Sequence, residues 1–190
     1  MKYLSIDLET TCIDPKCPEN IIGLSFIVEN TDVRGIPTGQ LPNFTCLVKH
    51  EVYSGSPYAL QMNARFLKMI AMPETSPYRI YSAHAWPSLA EDFLSEHFGS
   101  DKIVVAGKNV AHFDIPFLPK NISSKFDFRT IDVGNMFFDW SKDKTLPGMK
   151  TCMLRAGYEN PKVTHDMYMD AQDNIACLRT TYPDFGEDGE

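Results

Sequence analysis

Asp7 and Glu9 stand one residue apart beside the apolar run Tyr3-Leu4-Ser5-Ile6. On an extended strand, residues i and i+2 share a face. The two carboxylates therefore point the same way, while Leu8 points into the opposite layer. Two carboxylates on one face repel, and without a cation one of them tends to hold a proton. A hard divalent ion such as Mg²⁺ takes oxygen ligands and removes that conflict. Taken alone, the D-x-E pair is more simply an exposed strand end carrying two acids.

Two further acids follow apolar segments. In GKNVAHFDIPFL, residues 107–118, Asp114 comes after an apolar strand and opens a segment with Pro116 in its first turn. A helix N-cap would use the same residues, because Asp caps well and Pro is tolerated there. In THDMYMDAQDNIACL, residues 164–178, His165 stands just before a helix. Asp166 is placed to cap that helix, and Asp170 falls within its first turns. The plainer reading makes His165 an exposed loop residue and Asp170 an acid favoured by the helix N-terminus. An acid beside the apolar stripe at Ala171 fits that reading poorly. Asp173, nearer the solvated face, is the milder alternative to Asp170.

The elements that must position these residues follow from pattern. Residues 2–8, 21–28 and 43–50 read as strands separated by loop punctuation, which predicts an antiparallel meander. Residues 58–70 read as one helix without internal Gly or Pro. Pro73, Pro77 and Pro87 mark a loop, and residues 88–98 a second helix apolar at Leu89, Phe93, Leu94 and Phe98. Strands at 102–107 and 128–131 then alternate with helices from about 115, at 133–140, at 147–157 and at 166–181. The last helix is apolar at Ala171, Ile175, Leu178 and Tyr182. The expected fold class is α/β, a central mixed five-stranded sheet with helices on both faces. Residues 1–182 are expected to form a single domain, and the acidic tail 183–190 to be disordered.

Composition excludes several classes. No stretch of the 190 residues approaches a membrane span, and the N-terminus lacks the pattern of a secretory signal. Cys12, Cys17, Cys46, Cys152 and Cys177 are an odd, scattered set that fits a reducing, cytoplasmic compartment. Cys12 and Cys17 have no second Cys/His pair in register for zinc. A net charge of −7 argues against gripping long duplex by phosphate neutralisation, though not against holding a few nucleotides.

In order and context, the motifs resemble the DEDDh family of 3′→5′ exonucleases. That family shares a ribonuclease H-like fold and includes proofreading exonuclease subunits, exonuclease X, ribonuclease T and oligoribonuclease. Three stretches carry the resemblance: IDLETT on the first strand, VVAGKNVAHFD, and HDMYMD at the start of the last helix. It covers residues 1 to about 180. Cys12, Lys108 and Met167 stand where the family often has Gly, His and Ala, and none of these departures removes a carboxylate or the His.

The resemblance implies two divalent ions, Mg²⁺ or Mn²⁺, held by Asp7, Glu9, Asp114 and Asp170. Asp7 would bridge both, Glu9 and Asp170 would complete the site for the ion carrying the attacking water, and Asp114 would reach the other ion through water. His165 would be the general base, work that suits an ordinary pKa of about 6.5. The implied substrate is the 3′ end of DNA, single-stranded by preference, and the product nucleoside 5′-monophosphates. Glu9 would meet the terminal 3′-OH, and backbone near Leu8 and Thr10 would line the last nucleotide. Thr11 and Asn109 complete the substrate-binding set within the motifs. Met62 and Asn63 resemble positions that touch terminal bases, and Phe113 is a candidate for base stacking. Met62 is more readily explained as core, and Phe113 is as readily explained as core as by stacking. An exoribonuclease or oligoribonuclease with the same residues is the alternative. A catalytically silent nucleic-acid-binding module would be expected to lack one of the five, and none is missing. No membrane partner is expected, and oligomeric state stays open, a homodimer included.

Overall fold

The structure, a computed structural model, describes residues 1–16, 21–33 and 35–182. The acidic tail and Cys17 lie outside the described residues. Three long strands begin the chain: β1 (Lys2–Thr10), β2 (Ile21–Asn30) and β3 (Asn43–Lys49). They pair antiparallel in sequence order, as the meander predicts. Three shorter strands follow: β4 (Arg79–Ser82), β5 (Ile103–Gly107) and β6 (Phe126–Asp132). The sheet order is β4-β3-β2-β1-β5-β6, with β4, β5 and β6 all joined in parallel.

The sheet therefore has six strands where five were expected. The extra strand, β4, falls in the Pro-punctuated stretch read as loop. Its four residues, RIYS, are too few to show an alternating pattern. They are strand only because β3 offers them an edge. β1 also runs further than expected, so Glu9 as well as Asp7 lies within the strand rather than past its end.

Helices cover both faces: α1 (Pro57–Met62), α2 (Ala64–Ala71), α3 (Trp86–Phe98), α4 (Asp114–Phe117), α5 (Lys120–Ser123), α6 (Val133–Met136), α7 (Met149–Arg155) and α8 (Met167–Arg179). Alternation along β1 divides the core. Leu4, Ile6 and Leu8 pack with Trp86, Ala90 and Leu94 of α3. Tyr3, one residue out of phase with them, packs with Ala171, Ile175 and Leu178 of α8. A smaller cluster joins Ile22, Leu47 and Met167 to Phe66 and Ile70 of α2.

Two expected helices are interrupted. The helix over 58–70 breaks at Asn63, whose φ of −93° and ψ of 10° end α1 and begin α2. The Asn63 side chain is pulled inward to bond β1, and this tertiary contact outweighs good local helix propensity. The helix from about 115 becomes two single turns, parted at Leu118 and Pro119. The helix expected over 133–140 stops at Met136.

Candidate active site

The acidic centre sits where β1 meets the first turns of α8. Asp7 and Glu9 project from the face on which α8 lies, opposite Ser25 and Gly23 of β2. One residue pair below, Ser5 Oγ donates to the Ala171 carbonyl at 2.9 Å and fixes α8 to the strand. Gly23 leaves room for the start of that helix: a Cβ there would lie 3.1 Å from Met167 Sδ. These contacts bring Asp170 over the strand. One carboxylate oxygen from each of Asp7, Glu9 and Asp170 falls within 4.8 Å of the others.

Asp114 joins from the β5 side. β5 ends at Gly107, leaving the next part of β1 without a backbone partner on that side. The Asp114 carboxylate supplies the acceptor, taking the Leu8 N–H at 3.0 Å. It does not cap a helix; α4 begins at Asp114 itself, with Phe113 at the cap position. Asp114 lies outside the three-acid group, yet its charge acts on Asp7.

All four acids are held above the ordinary carboxylate range. Burial is the largest cause for Asp7, followed by the charges of Asp114, Asp170 and Glu9. Glu9 is pushed up to about 8 by burial and then by Asp170, against the opposing charge of Arg65 and a hydrogen bond from Asn63. Asp114 is raised to about 7, burial outweighing its hydrogen bonds from backbone N–H groups. Asp170 is raised by burial, opposed by Thr164 and by His165. Among the described residues, none of the four forms an ion pair. Buried like charges without a counterion are costly. All-oxygen donors at this spacing suit a hard divalent cation holding ligands at about 2.1 Å after small side-chain movements. The residues present thus fit the ion that the motifs imply.

His165 is exposed, in the residue just before the Asp166 N-cap, with φ of 50°. Its charge reaches Asp170. Leu8 buries its side chain in the opposite layer and offers only backbone to this face. Asn63 is 1% exposed and donates to the Thr10 carbonyl at 3.0 Å. Among the described residues, its Oδ1 finds no hydrogen-bond partner. Met62, by contrast, is 37% exposed, so the core reading of that residue does not hold. Thr11 is buried, and its carbonyl accepts from Ser56 N at 3.0 Å. Phe113 is half-buried against Phe117, ring centroids 5.2 Å apart. Asn109 is exposed at φ 58°, and its N–H bonds Asp132 at the end of β6, which is not one of the three-acid group. Asp173 is half-buried and raised to about 6 by burial and then by Asp170, but it stays out of that group.

Two residues near the site gave no sequence signal. Arg65 and Tyr78 both bond Asp166, and Arg65 also reaches the carbonyls beside it. Neither lies in a motif, and each is far from residue 166 along the chain. A groove of about 600 Å³ opens at the β3–β4 edge, lined by Asn43, Phe44, Tyr78, Arg79 and Tyr81 among others, and contains none of the carboxylates.

No protein-family model and no curated protein matches this chain. Solved structures do. An exonuclease I superposes with a TM-score of 0.66 at 14% identity, over 95% of this chain and 40% of that one. Exonuclease I from Methylocaldum szegediense gives 0.65 at 17% identity with the same coverage. E. coli exonuclease I, solved in complex with a dT13 oligonucleotide, gives 0.64 at 15%, again over 95% and 40%. The chain spans about 40% of the length of the exonuclease I chains it matches. The ribonuclease H-like fold expected from the three motifs is thus the fold this chain shares with exonuclease I, over nearly all of its own length.

Proposed function

We propose that this chain is a divalent-metal-dependent 3′→5′ exonuclease domain acting on single-stranded DNA. The observation that carries the reading is the clustered group of Asp7, Glu9 and Asp170, Glu9 buried and the other two half-buried, unpaired by any described cation, with Asp114 alongside. The three motifs supply its direction of attack, and the exonuclease I fold supports it. That one such exonuclease I was solved with an oligonucleotide supports a single strand as substrate.

Asp7, Glu9 and Asp170 would hold one ion, and Asp7 with Asp114 a second. When bound, such ions stabilise the attacking and leaving oxygens of an in-line displacement at phosphorus. The chain's own residues do the rest. His165, exposed beside Asp170, accepts the proton of the attacking water. Glu9 meets the terminal 3′-OH. The backbone from Leu8 to Thr10, held by Asp114 and Asn63, forms the floor under the last nucleotide. Phe113, only half-buried, stacks on a base.

The test uses 5′-labelled single-stranded DNA, duplex DNA and RNA with Mg²⁺ or Mn²⁺. A ladder shortening from the 3′ end, lost with chelator and in Asp7→Ala and Asp170→Ala, is the expected result. Immediate release of the label reverses the direction. Faster cutting of RNA than DNA moves the assignment to an exoribonuclease with the same residues. Cutting that survives in both variants overturns it.

A further inference from the structure

We infer that Arg65 is a positioning residue, a clamp that sets the His165 segment over the acidic centre, with Tyr78 as its second support. This rests on the exonuclease reading above. Residues 161–166 have no regular secondary structure, and 162–165 are exposed. His165 also sits at φ 50°, a left-handed conformation that L residues with a Cβ avoid. Something outside the segment must hold it there. Arg65 Nη2 donates to the His165 carbonyl at 2.6 Å, lies 3.2 Å from Asp166 Oδ2, and reaches the Thr164 carbonyl at 3.4 Å. One guanidinium edge thus gathers three successive residues.

The clamp is itself anchored at both ends. Asn63, two residues before Arg65, is tied to the Thr10 carbonyl on β1, the strand that carries Asp7 and Glu9. The Arg65 guanidinium packs over the Phe66 ring at 4.4 Å, and Phe66 is fully buried. On the other side, Asp166 caps α8 by accepting from Tyr168 N and Met169 N, and accepts from Tyr78 OH at 2.7 Å. A continuous set of contacts therefore runs from β1 through Asn63 and Arg65 to the residues flanking His165, and on into the helix that carries Asp170.

Arg65 acts through His165 and not on substrate. Its loss lets the segment leave the left-handed conformation, and turnover falls with the fraction of molecules that keep His165 in place. Misplacement of this kind can cost about 10²-fold. Substrate affinity should barely move.

The test compares Arg65→Ala, Arg65→Lys, Tyr78→Phe, His165→Ala and the double variant R65A/H165A. Expected is a kcat at least about tenfold lower in R65A with KM within about threefold. R65K should recover most of the loss, because all three contacts are made by one nitrogen. Y78F should lose less than R65A. The double variant should be no slower than H165A alone. A further drop in the double variant equal to that of R65A alone overturns the inference. So does a rise in KM with kcat intact, which would place Arg65 on the substrate. Amide hydrogen exchange of residues 164–166 provides a readout independent of activity. Faster exchange in R65A, restored in R65K, upholds the clamp even if no strand is cut, and unchanged exchange sinks it. A wild-type protein without nuclease activity would instead remove the exonuclease reading.

Discussion

Two groups of acids in this molecule have opposite electrostatics. Asp139 and Asp143, in the loop after α6, are fully answered. Arg155 meets Asp143 through both terminal nitrogens, Lys142 lies 2.9 Å from Asp139, and Ser141 donates to Asp139 as well. The Arg155 bond holds Asp143 down near 2, and Ser141 and Lys142 lower Asp139. Asp7, Glu9, Asp114 and Asp170, wholly or partly buried, have no such ion-pair partner among the described residues and are all raised. A loop that needs only shape satisfies its charges with its own residues. A centre that leaves them unanswered keeps a place for a cation from outside.

The largest expected effect is on turnover. Asp7→Asn removes the carboxylate proposed to serve both ions and should abolish cutting, whereas Asp143→Asn should leave it near wild type in the assay of labelled strand. Losing His165 should cost about 10²–10⁴-fold, the usual contribution of a general base. A D143N protein as inactive as D7N would erase the distinction between the two groups.

Next comes stability on adding the ion. At about 100-fold excess over its dissociation constant, a ligand that binds only the folded chain stabilises by about 2.7 kcal/mol. In a chain of this size that is a rise in Tm of about 5–10 °C. Calorimetry should show the rise in wild type and in D143N, and its loss in D7N and D170N. Equal shifts in all four would mean that the ion binds elsewhere.

The pH dependence of the metal-free protein should follow the raised acids. Glu9 moves from its ordinary 4.5 to about 8, and Asp114 from 3.8 to about 7. Between those limits the folded chain holds more protons than the unfolded one, so stability falls as pH rises through the window. In chelator, Tm at pH 5 should exceed Tm at pH 8 by about 5 °C or more. Saturating Mg²⁺ should shrink or reverse that difference, because ion binding favours the ionised carboxylates. A metal-free Tm that climbs from pH 5 to pH 8 contradicts the raised set. The smallest effect is the converse one. D143N should lower Tm at neutral pH by less than any of the shifts above, and the difference from wild type should fade as pH falls toward 2, where Asp143 itself protonates.

Much of this arrangement was legible in the chain because it rests on local pattern. β1, β2, β3 and β5 are apolar runs, and the face shared by Asp7 and Glu9 follows from strand geometry alone. Asp166 reads as a cap, and caps α8. What stayed hidden depends on partners distant in sequence. β4 is a strand only beside β3. Asn63 breaks a helix of good propensity because Thr10 offers it an acceptor. Asp114 carries the signature of an N-cap, yet it bonds Leu8, because the early end of β5 leaves that N–H open. Arg65 and Tyr78 have no local reason to be near His165 at all.

The docking of α8 on β1 through Ser5 and Ala171 has a consequence in time. During synthesis, the first two acids leave the ribosome long before the helix that bears the third. Until that helix emerges and settles onto the first strand, the centre lacks both Asp170 and His165. Whatever chemistry it performs, the nascent chain is born unable to perform it, and competence arrives only once α8 has docked on β1.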